Sequence, residues 1–236
     1  MTSSHNFLSQ QTVWDDRAAN WDNWGFEEPL SPTSSDLQFQ REHITKDGAT
    51  LVLGATKSLC ELALQQSASV TSVDFSPAAI KQFGIDHVNY RCQDWITYLQ
   101  TNSQQFDTVI TDNGLSCVEF PIEWELFRDA LHSRLVPDGI FSMRAFVATE
   151  TPTKDHYENP NLQRIIPAIG RVSIESDWMT VKPADGITNF HPARYTFPSA
   201  EAIESLFSER FLLVDKHIPE YEEGEHFVSF AFQRKP

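Results

Sequence analysis

The chain has 236 residues, of which 40% are hydrophobic, and this length suits one large α/β domain. Its 18 Lys and Arg residues against 33 Asp and Glu residues give a formal net charge of −15, which would repel a phosphate backbone and disfavours a nucleic-acid partner. No uninterrupted apolar run approaches the ~18 residues of a membrane span, so we expect no membrane partner either.

The N-terminal sequence and the cysteines bear on the cellular compartment. Residues 1–17 carry neither the basic region nor the apolar stretch of a secretion signal. Cys60, Cys92 and Cys117 are odd in number, show no CxxC spacing and stand in apolar surroundings, which is typical of buried thiols in a reducing compartment. We therefore expect a cytoplasmic protein.

From residue 48 onward, apolar runs of strand length alternate with helical patterns. The alternation predicts five strands separated by four helices, with strands over 50–54, 69–75, 87–92, 106–114 and 139–147 and helices over 57–66, 76–84, 95–101 and 121–135. Elements that alternate at such short spacings imply right-handed crossovers and therefore a parallel sheet with helices on both faces. The predicted fold is a doubly wound, Rossmann-like α/β sheet.

The regular alternation stops after residue 149. Residues 150–198 hold several prolines and no clear period, so we predict a lid or an insertion there. A helix over 199–207 then precedes two strands, over 210–218 and 225–235. The acidic loop between these strands, which His217 and His226 bracket, is too short for a crossover helix, so the strands should form an antiparallel hairpin. The complete sheet is expected to have seven mostly parallel strands.

The N-terminal part of the chain is predicted to precede the main domain as a cap. Residues 1–47 are expected to form a helical cap or flap, and residues 48–236 the main domain. Trp14, Trp21 and Trp24 crowd this N-terminal part. They suit either a staple that holds a helix against the sheet or a flap that closes over a site and excludes water.

Glycine and acidic residues mark the first two strand ends. Gly54 follows the first strand, where backbone amides can approach a ligand closely. Asp74 ends the second strand twenty residues later, a spacing at which an acidic side chain binds both ribose hydroxyls of an adenosine. A lone Gly and Asp at this distance also arise by chance, because glycine fingerprints are weak.

The third and fourth strand ends add further polar residues. Asp94 and Trp95 follow the third strand, where a carboxylate can bind an adenine amino group and an indole can cover the base. Asp112 and Asn113 end the fourth strand, facing the expected reacting centre. Taken singly, each is better explained as a helix cap or a turn residue. Together, on one carboxyl edge, these residues favour an adenosine-type site.

This order of strands and motifs resembles the class I S-adenosylmethionine-dependent methyltransferases. A bacterial group within that class has VLGVTPEL, GDW and DGALS where this chain has VLGATKSL (52–59), QDW (93–95) and DNGLS (112–116). Residues 14–22 and 136–147 are similar to the group's N-terminal helix and fifth strand. The resemblance implies an S-adenosylmethionine cofactor. We predict that the residues at these motifs and strand ends bind it: Gly54, Ala55, Thr56, Asp74, Phe75, Asp94, Trp95, Asp112, Asn113 and Trp14.

The first turn departs from the general methyltransferase pattern DxGxGxG. Val52 replaces the acidic residue, and Thr56 and Ser58 replace the second and third glycines. The methionine end of the cofactor must therefore be held differently. Lys57 is a candidate partner for the methionine carboxylate, although an exposed lysine at a helix start is the more common explanation.

The chemistry implied by the resemblance requires positioning and, for an oxygen or nitrogen acceptor, often a general base. In residues 189–198, which should overhang the site, we predict His191 as this base, Arg194 as a clamp for an anionic substrate group and Tyr195 as a further site residue. A capped loop histidine is an equally common explanation of His191. No HxH, HExxH or CxxC motif is present, so we predict no metal.

Three functions follow, in order of preference. The first is methyl transfer from S-adenosylmethionine to an oxygen or nitrogen of a small molecule. The second is a non-catalytic protein that binds S-adenosylmethionine or S-adenosylhomocysteine as a sensor or partner subunit, which the reduced glycine loop leaves open. A nicotinamide oxidoreductase is disfavoured, because a pyrophosphate needs the close approach that Thr56 and Ser58 would hinder. The sequence predicts no particular oligomeric state.

Overall fold

The computed structural model describes residues 11–12, 14–16, 18–19, 28–149, 178–181, 195–221 and 224–236, with the backbone alone for 178–181 and 195. Its strands are β1 Ala49–Leu53, β2 Ser69–Asp74, β3 Asn89–Cys92, β4 Phe106–Asp112, β5 Leu135–Phe146, β6 Trp178–Val181, β7 Tyr195–Pro198, β8 Phe211–His217 and β9 Phe227–Arg234. Its helices are α1 Ser34–His43, α2 Lys57–Gln66, α3 Pro77–Phe83, α4 Trp95–Thr101, α5 Ile122–Arg134 and α6 Ala200–Ser208.

Seven strands form one sheet in the order β3-β2-β1-β4-β5-β9-β8. The strands from β3 to β5 pair in parallel, whereas β9 pairs antiparallel with both β5 and β8. This arrangement confirms the predicted doubly wound sheet with an antiparallel C-terminal hairpin. The strand order reverses between β1 and β4, and the crevice outside the carboxyl ends of strands at such a point is where open α/β sheets bind ligands.

Helices cover both faces of the sheet because the strands are apolar on both sides. On one face, a large aromatic and aliphatic core joins the sheet to α4, α5 and α6. On the other face, α2 packs its buried residues, among them Leu59 and Leu62, against Val52 and Ile110. Ser76 caps α3 by accepting a bond from the Ala79 amide, and Ser199 caps α6 by accepting one from the Ala202 amide.

The helix α1 lies within the predicted N-terminal cap. A capping box formed by Thr33 and Asp36 starts it. It packs against β5 and β9 of the sheet and against α2. This part of residues 1–47 is therefore in direct contact with the sheet. Among the helices in the described ranges, none is both long and apolar enough to cross a membrane.

The described part of residues 150–198 is a small antiparallel hairpin of β6 and β7. β7 lies against the short 3-10 helix Gly114–Cys117 that follows β4, and the Ala148 amide donates to the Pro198 carbonyl at 3.2 Å. The segment thus returns to the carboxyl edge of the sheet, the side on which a lid was expected.

The three cysteines, which were predicted to be buried, differ in their exposure. Cys60 is buried and Cys117 half-buried, but Cys92 is exposed, so the prediction of a buried thiol is wrong at that position. Cys92 ends β3, an edge strand, and the preceding Arg91 is also exposed.

Candidate functional site

The first turn of the sheet has the backbone shape that only glycine adopts easily. Gly54 has φ of +104°, which strains any residue with a Cβ atom. Its amide donates to the Val73 carbonyl at 2.8 Å, and Ser72 Oγ donates to the Gly54 carbonyl at 3.0 Å. These bonds turn the chain sharply out of β1. Thr56 follows as the N-cap of α2, without a side-chain capping bond.

The Asp74 carboxylate joins the loops that follow β1 and β2. Its Oδ2 accepts the Ala55 amide at 2.9 Å, and its Oδ1 accepts the Ser76 amide at 2.8 Å. Burial raises the pKa of Asp74, and these two amide bonds oppose the rise. The adjacent Phe75 carbonyl lies 3.7 Å from Cys92 Sγ. The structure therefore brings Gly54, Ala55 and Asp74 together at one edge, as predicted, while the ribose contact stays a prediction.

The N-terminal segment reaches the same two loops. Asp15 Oδ1 accepts the Ser76 hydroxyl at 2.5 Å and lies 3.4 Å from the Ala78 amide. Ala18 is buried in a cluster with Ala55 of the first turn and with Ala79 of α3. Trp14 is thus placed on a segment that contacts the candidate site. Sequence reasoning missed Asp15, because its contact with Ser76 joins residues 61 positions apart and leaves no local signal.

Asp94 and Trp95 stabilise the fold at the end of the third strand. Asp94 caps α4 by accepting the Thr97 amide at 2.8 Å. Trp95 is buried, and its indole N–H donates to the Val73 carbonyl at 2.7 Å. Its ring lies against two glycines: a Cβ atom on Gly54 would be 3.7 Å from Trp95 Cζ2, and one on Gly114 only 2.0 Å from Cη2. The indole thus braces the turns after β1 and β4, and the predicted adenine contacts of both residues stay predictions.

Gly114→Ala should therefore destabilise the protein by about 3 kcal/mol, because the new methyl group would displace the Trp95 ring and break its bond to Val73. Chemical denaturation measures this loss. A smaller ring leaves room for the methyl group, so Gly114→Ala combined with Trp95→Phe should cost less than the sum of the two single changes. Additive losses would show that the methyl group introduced at position 114 does not contact the Trp95 ring.

Asp112 forms a buried ion pair with Arg144, its register partner on the neighbouring strand. Arg144 Nε donates to Asp112 Oδ1 at 2.5 Å, and Arg144 Nη1 lies 3.1 Å from Asp36 Oδ2 on α1. The remaining guanidinium bonds reach the Pro29 and Leu30 carbonyls at 2.7 and 3.0 Å. Burial alone would lower the pKa of Arg144, but the attraction of Asp112 and Asp36 outweighs it and leaves the pKa raised.

One guanidinium and two carboxylates therefore meet behind the end of the fourth strand. The Arg144 and Asp36 side chains are each 1% exposed and Asp112 is 9% exposed, so one cation faces two carboxylates away from water. Sequence reasoning named Asp112 but missed Arg144 and Asp36. An arginine inside the apolar strand FSMRAF was the available signal, since buried charges are almost always paired.

Asn113 forms the turn that follows this pair. It adopts the left-handed conformation, with φ of 51°. Its amide donates to the Arg144 carbonyl at 2.8 Å, and its side-chain oxygen accepts the Phe146 amide at 2.9 Å. Asn113 thus fixes the ends of β4 and β5 relative to each other, and the cofactor contact predicted for it stays a prediction.

His226 lies at the same edge, one strand further on. Its carbonyl accepts the Val147 amide at 2.9 Å, and its ring stacks on Phe146 at 5.8 Å between centroids. Thr149 Oγ1 is 3.4 Å from Nδ1, and Glu225 Oε1 is 3.6 Å from Nε2. Burial lowers the pKa of His226, and Glu225 opposes this, so the imidazole is neutral near pH 7. The sequence had placed His226 only beside the acidic loop.

This burial predicts a pH dependence of stability. Because the folded-state pKa of His226 lies below its unfolded value near 6.5, the unfolded chain binds more protons below that pH, and stability falls as the pH drops from about 7.5 to 5.5. His226→Gln should flatten this slope relative to the unmodified protein. Burial also lowers the pKa of His132, so this residue contributes to the same pH dependence of stability. The comparison variant His132→Gln should therefore remove the His132 contribution and leave that of His226. An unchanged slope in His226→Gln would contradict the assignment.

The other predicted residues divide in two groups. His191 and Arg194 lie outside the described residues, and Tyr195 is described by its backbone alone, so their roles stay predictions. Lys57 is exposed, and its Nζ lies 3.9 Å from Oε1 of Glu61, four residues along α2, which fits the common explanation of a helix-start lysine.

Within the described ranges, no three His, Cys, Asp or Glu side chains are grouped as a metal site would require.

Solved structures share this architecture across nearly the whole chain. The N-methyltransferase NodS from Bradyrhizobium japonicum WM9, in complex with S-adenosylhomocysteine, is 14% identical, with 97% of this chain and 99% of that chain covered and a TM-score of 0.62. The Burkholderia thailandensis 1,6-didemethyltoxoflavin-N1-methyltransferase, with its substrate and S-adenosylhomocysteine bound, is 16% identical, with 100% and 92% covered and a TM-score of 0.66. The chain has the class I methyltransferase fold.

The class I methyltransferase fold does not by itself assign an activity. A Rhodobacter sphaeroides protein assigned provisionally as a Zn-dependent alcohol dehydrogenase is 16% identical, with 96% of this chain and 99% of that chain covered and a TM-score of 0.68. No protein-family model and no curated protein matches the sequence. At these identities the likeness shows the fold, and function has to be argued from the site.

Proposed function

We propose that this protein is an S-adenosylmethionine-dependent methyltransferase that acts on an oxygen or nitrogen of a small molecule. The position and hydrogen bonding of the Asp74 carboxylate are the main support for this proposal. It stands at the carboxyl edge beside the Gly54 turn, and each of its oxygens accepts one backbone amide. A carboxylate offers about four lone-pair sites, so both oxygens can still accept bonds from adjacent ribose hydroxyls.

The neighbouring residues fit the rest of such a cofactor. Asp94 uses Oδ1 for its helix cap, and a second carboxylate oxygen is suited to accept a bond from an adenine amino group. The first turn has one glycine, with Thr56 and Ser58 in place of the further glycines, which suits a ligand without phosphate. When bound, S-adenosylmethionine supplies an activated methyl group on a sulfonium.

The residues of the chain position the acceptor and handle its proton. Asn113 and the Arg144–Asp112 pair fix the turn after β4, where proximity would align the acceptor. An acceptor O–H or N–H loses a proton in the transfer. His191 is the base predicted from sequence, and His226 is a second candidate because its neutral imidazole lies at this edge.

Methyl transfer is tested by supplying the purified protein and a metabolite extract with cofactor labelled in its methyl group. We expect label in a low-molecular-weight product, and little label when Asp74→Asn replaces the unmodified protein. If the cofactor binds but label never leaves it in any extract, the protein is the non-catalytic binder and the enzymatic proposal is wrong.

A further inference from the structure

A cluster of buried polar atoms lies between α1 and the sheet and includes Asp36, which contacts Arg144. Within the described part of the chain, each of these atoms is buried and has no hydrogen-bond partner. We call them the interior polar cluster: Asp36 Oδ1, Gln40 Nε2 and Oε1, Ser142 Oγ, His217 Nε2 and Ser229 Oγ. Four of the residues, Asp36, Gln40, Ser142 and Ser229, are at most 2% exposed.

Strand register places three members side by side. Ser229 of β9 pairs with Arg144 of β5 on one side and with His217 of β8 on the other. Ser142 precedes Arg144 by two residues, so it points to the same face of β5 and lies diagonally from Ser229. These three side chains therefore share one face of the sheet.

The helix α1 covers that face. Asp36 contacts Arg144 at 3.1 Å, and Gln40 follows Asp36 by one helical turn, on the same side of the helix. Phe39 stacks on the His217 ring at 5.9 Å between centroids. Tyr221 lies at this end of α1 as well: burial and the charge of Asp36 raise the pKa of Tyr221, whereas Arg144, through its charge and a side-chain hydrogen bond, opposes the rise.

The chemistry of the unpaired atoms indicates what fills the space between them. Gln40 Nε2 can only donate, Asp36 Oδ1 and Gln40 Oε1 can only accept, and the hydroxyls can do both. A buried polar group without a partner destabilises the folded state, so a marginally stable protein does not leave this many unpaired. A bound cation would serve the acceptors but leave the Gln40 amide unpaired. Water serves both kinds of atom and typically makes about three bonds when buried.

We propose that ordered water molecules occupy the space between α1 and strands β5, β9 and β8 and bridge the interior polar cluster. The site includes Oδ1 of Asp36, whose other oxygen contacts Arg144, so the bound waters help hold α1 against the sheet. This inference does not depend on the proposed methyltransferase function, and neither test uses cofactor or substrate.

The test compares Gln40→Met with Gln38→Met by chemical denaturation of the full chain. Both changes lie on α1 and alter helix propensity equally, but Gln38 is on the exposed side, where it bonds to Glu42. If water bridges the cluster, Gln40→Met removes two of its bonds, and the folding equilibrium constant should fall about tenfold more than in Gln38→Met. If the cluster is dry, an apolar side chain of similar length relieves two unpaired atoms, and the midpoint rises, which would overturn the proposal.

A crystal structure of the unmodified protein at about 1.5 Å gives a second measurement that does not depend on any variant. We expect solvent peaks about 2.7–3.2 Å from two or more cluster atoms, Gln40 Nε2 among them. An empty cluster would contradict the inference. A peak bound only by oxygen atoms at about 2.3–2.6 Å would instead identify a cation and would also overturn it.

Discussion

Arg144→Met should lower the free energy of unfolding by about 3–5 kcal/mol, the largest loss that we expect from a single substitution in this protein. The change leaves Asp112 and Asp36 buried with no cation between them. It also removes the donors that Arg144 directs to the Pro29 and Leu30 carbonyls, which tie the start of α1 to the sheet. Chemical denaturation near pH 7 measures the loss.

Two further variants separate the charge from the packing of Arg144. Arg210→Met removes an arginine that is 52% exposed and pairs with exposed Asp129, so it should cost less than about 1 kcal/mol. Adding Asp112→Asn to Arg144→Met removes one of the two buried carboxylates that lack a cation. The double variant should therefore recover part of the lost stability. If the double variant is less stable than Arg144→Met, unpaired buried charge is not the cause of the loss.

Asp74→Asn should weaken the binding of S-adenosylmethionine by about 10- to 100-fold, equivalent to about 1.4–2.8 kcal/mol. The amide group offers one acceptor oxygen in place of two, so it cannot hold the Ala55 and Ser76 amides and two ribose hydroxyls together. Isothermal titration calorimetry of both proteins measures the difference.

Asp107→Asn is the matched control. Asp107 Oδ2 accepts the Ala49 amide at 2.8 Å, at the opposite, amino-terminal end of β1. Its replacement should have a similar effect on folding without touching the candidate site. Equal cofactor affinity in the two variants would refute the ribose assignment of Asp74.

Local sequence signals predicted most of the sheet and the position of its polar edge. The alternation of short apolar runs with helical patterns is set by residues near each other in the chain, so the parallel sheet and its antiparallel C-terminal hairpin followed from it. The positions of Gly54 and Asp74 followed as well, because parallel strands end at one edge.

Contacts between distant residues could not be predicted in this way. Arg144 meets Asp112 and Asp36 across 32 and 108 residues, and no spacing rule connects such positions. The inward orientation of Trp95 depends on the room left by Gly114, which only the folded chain shows. β5 begins at Leu135, four residues earlier than predicted, because Leu135 already pairs with Phe106 before the register shifts.

A calorimetric titration of the unmodified protein with S-adenosylmethionine, S-adenosylhomocysteine and NAD tests the proposed function most directly. The methyltransferase proposal predicts that both sulfur ligands bind at one site per chain, that each competes with the other, and that NAD gives no heat of binding. If neither sulfur ligand binds, or if NAD binds in their place, the carboxyl edge around Gly54 and Asp74 is not an S-adenosylmethionine site and the proposal is contradicted.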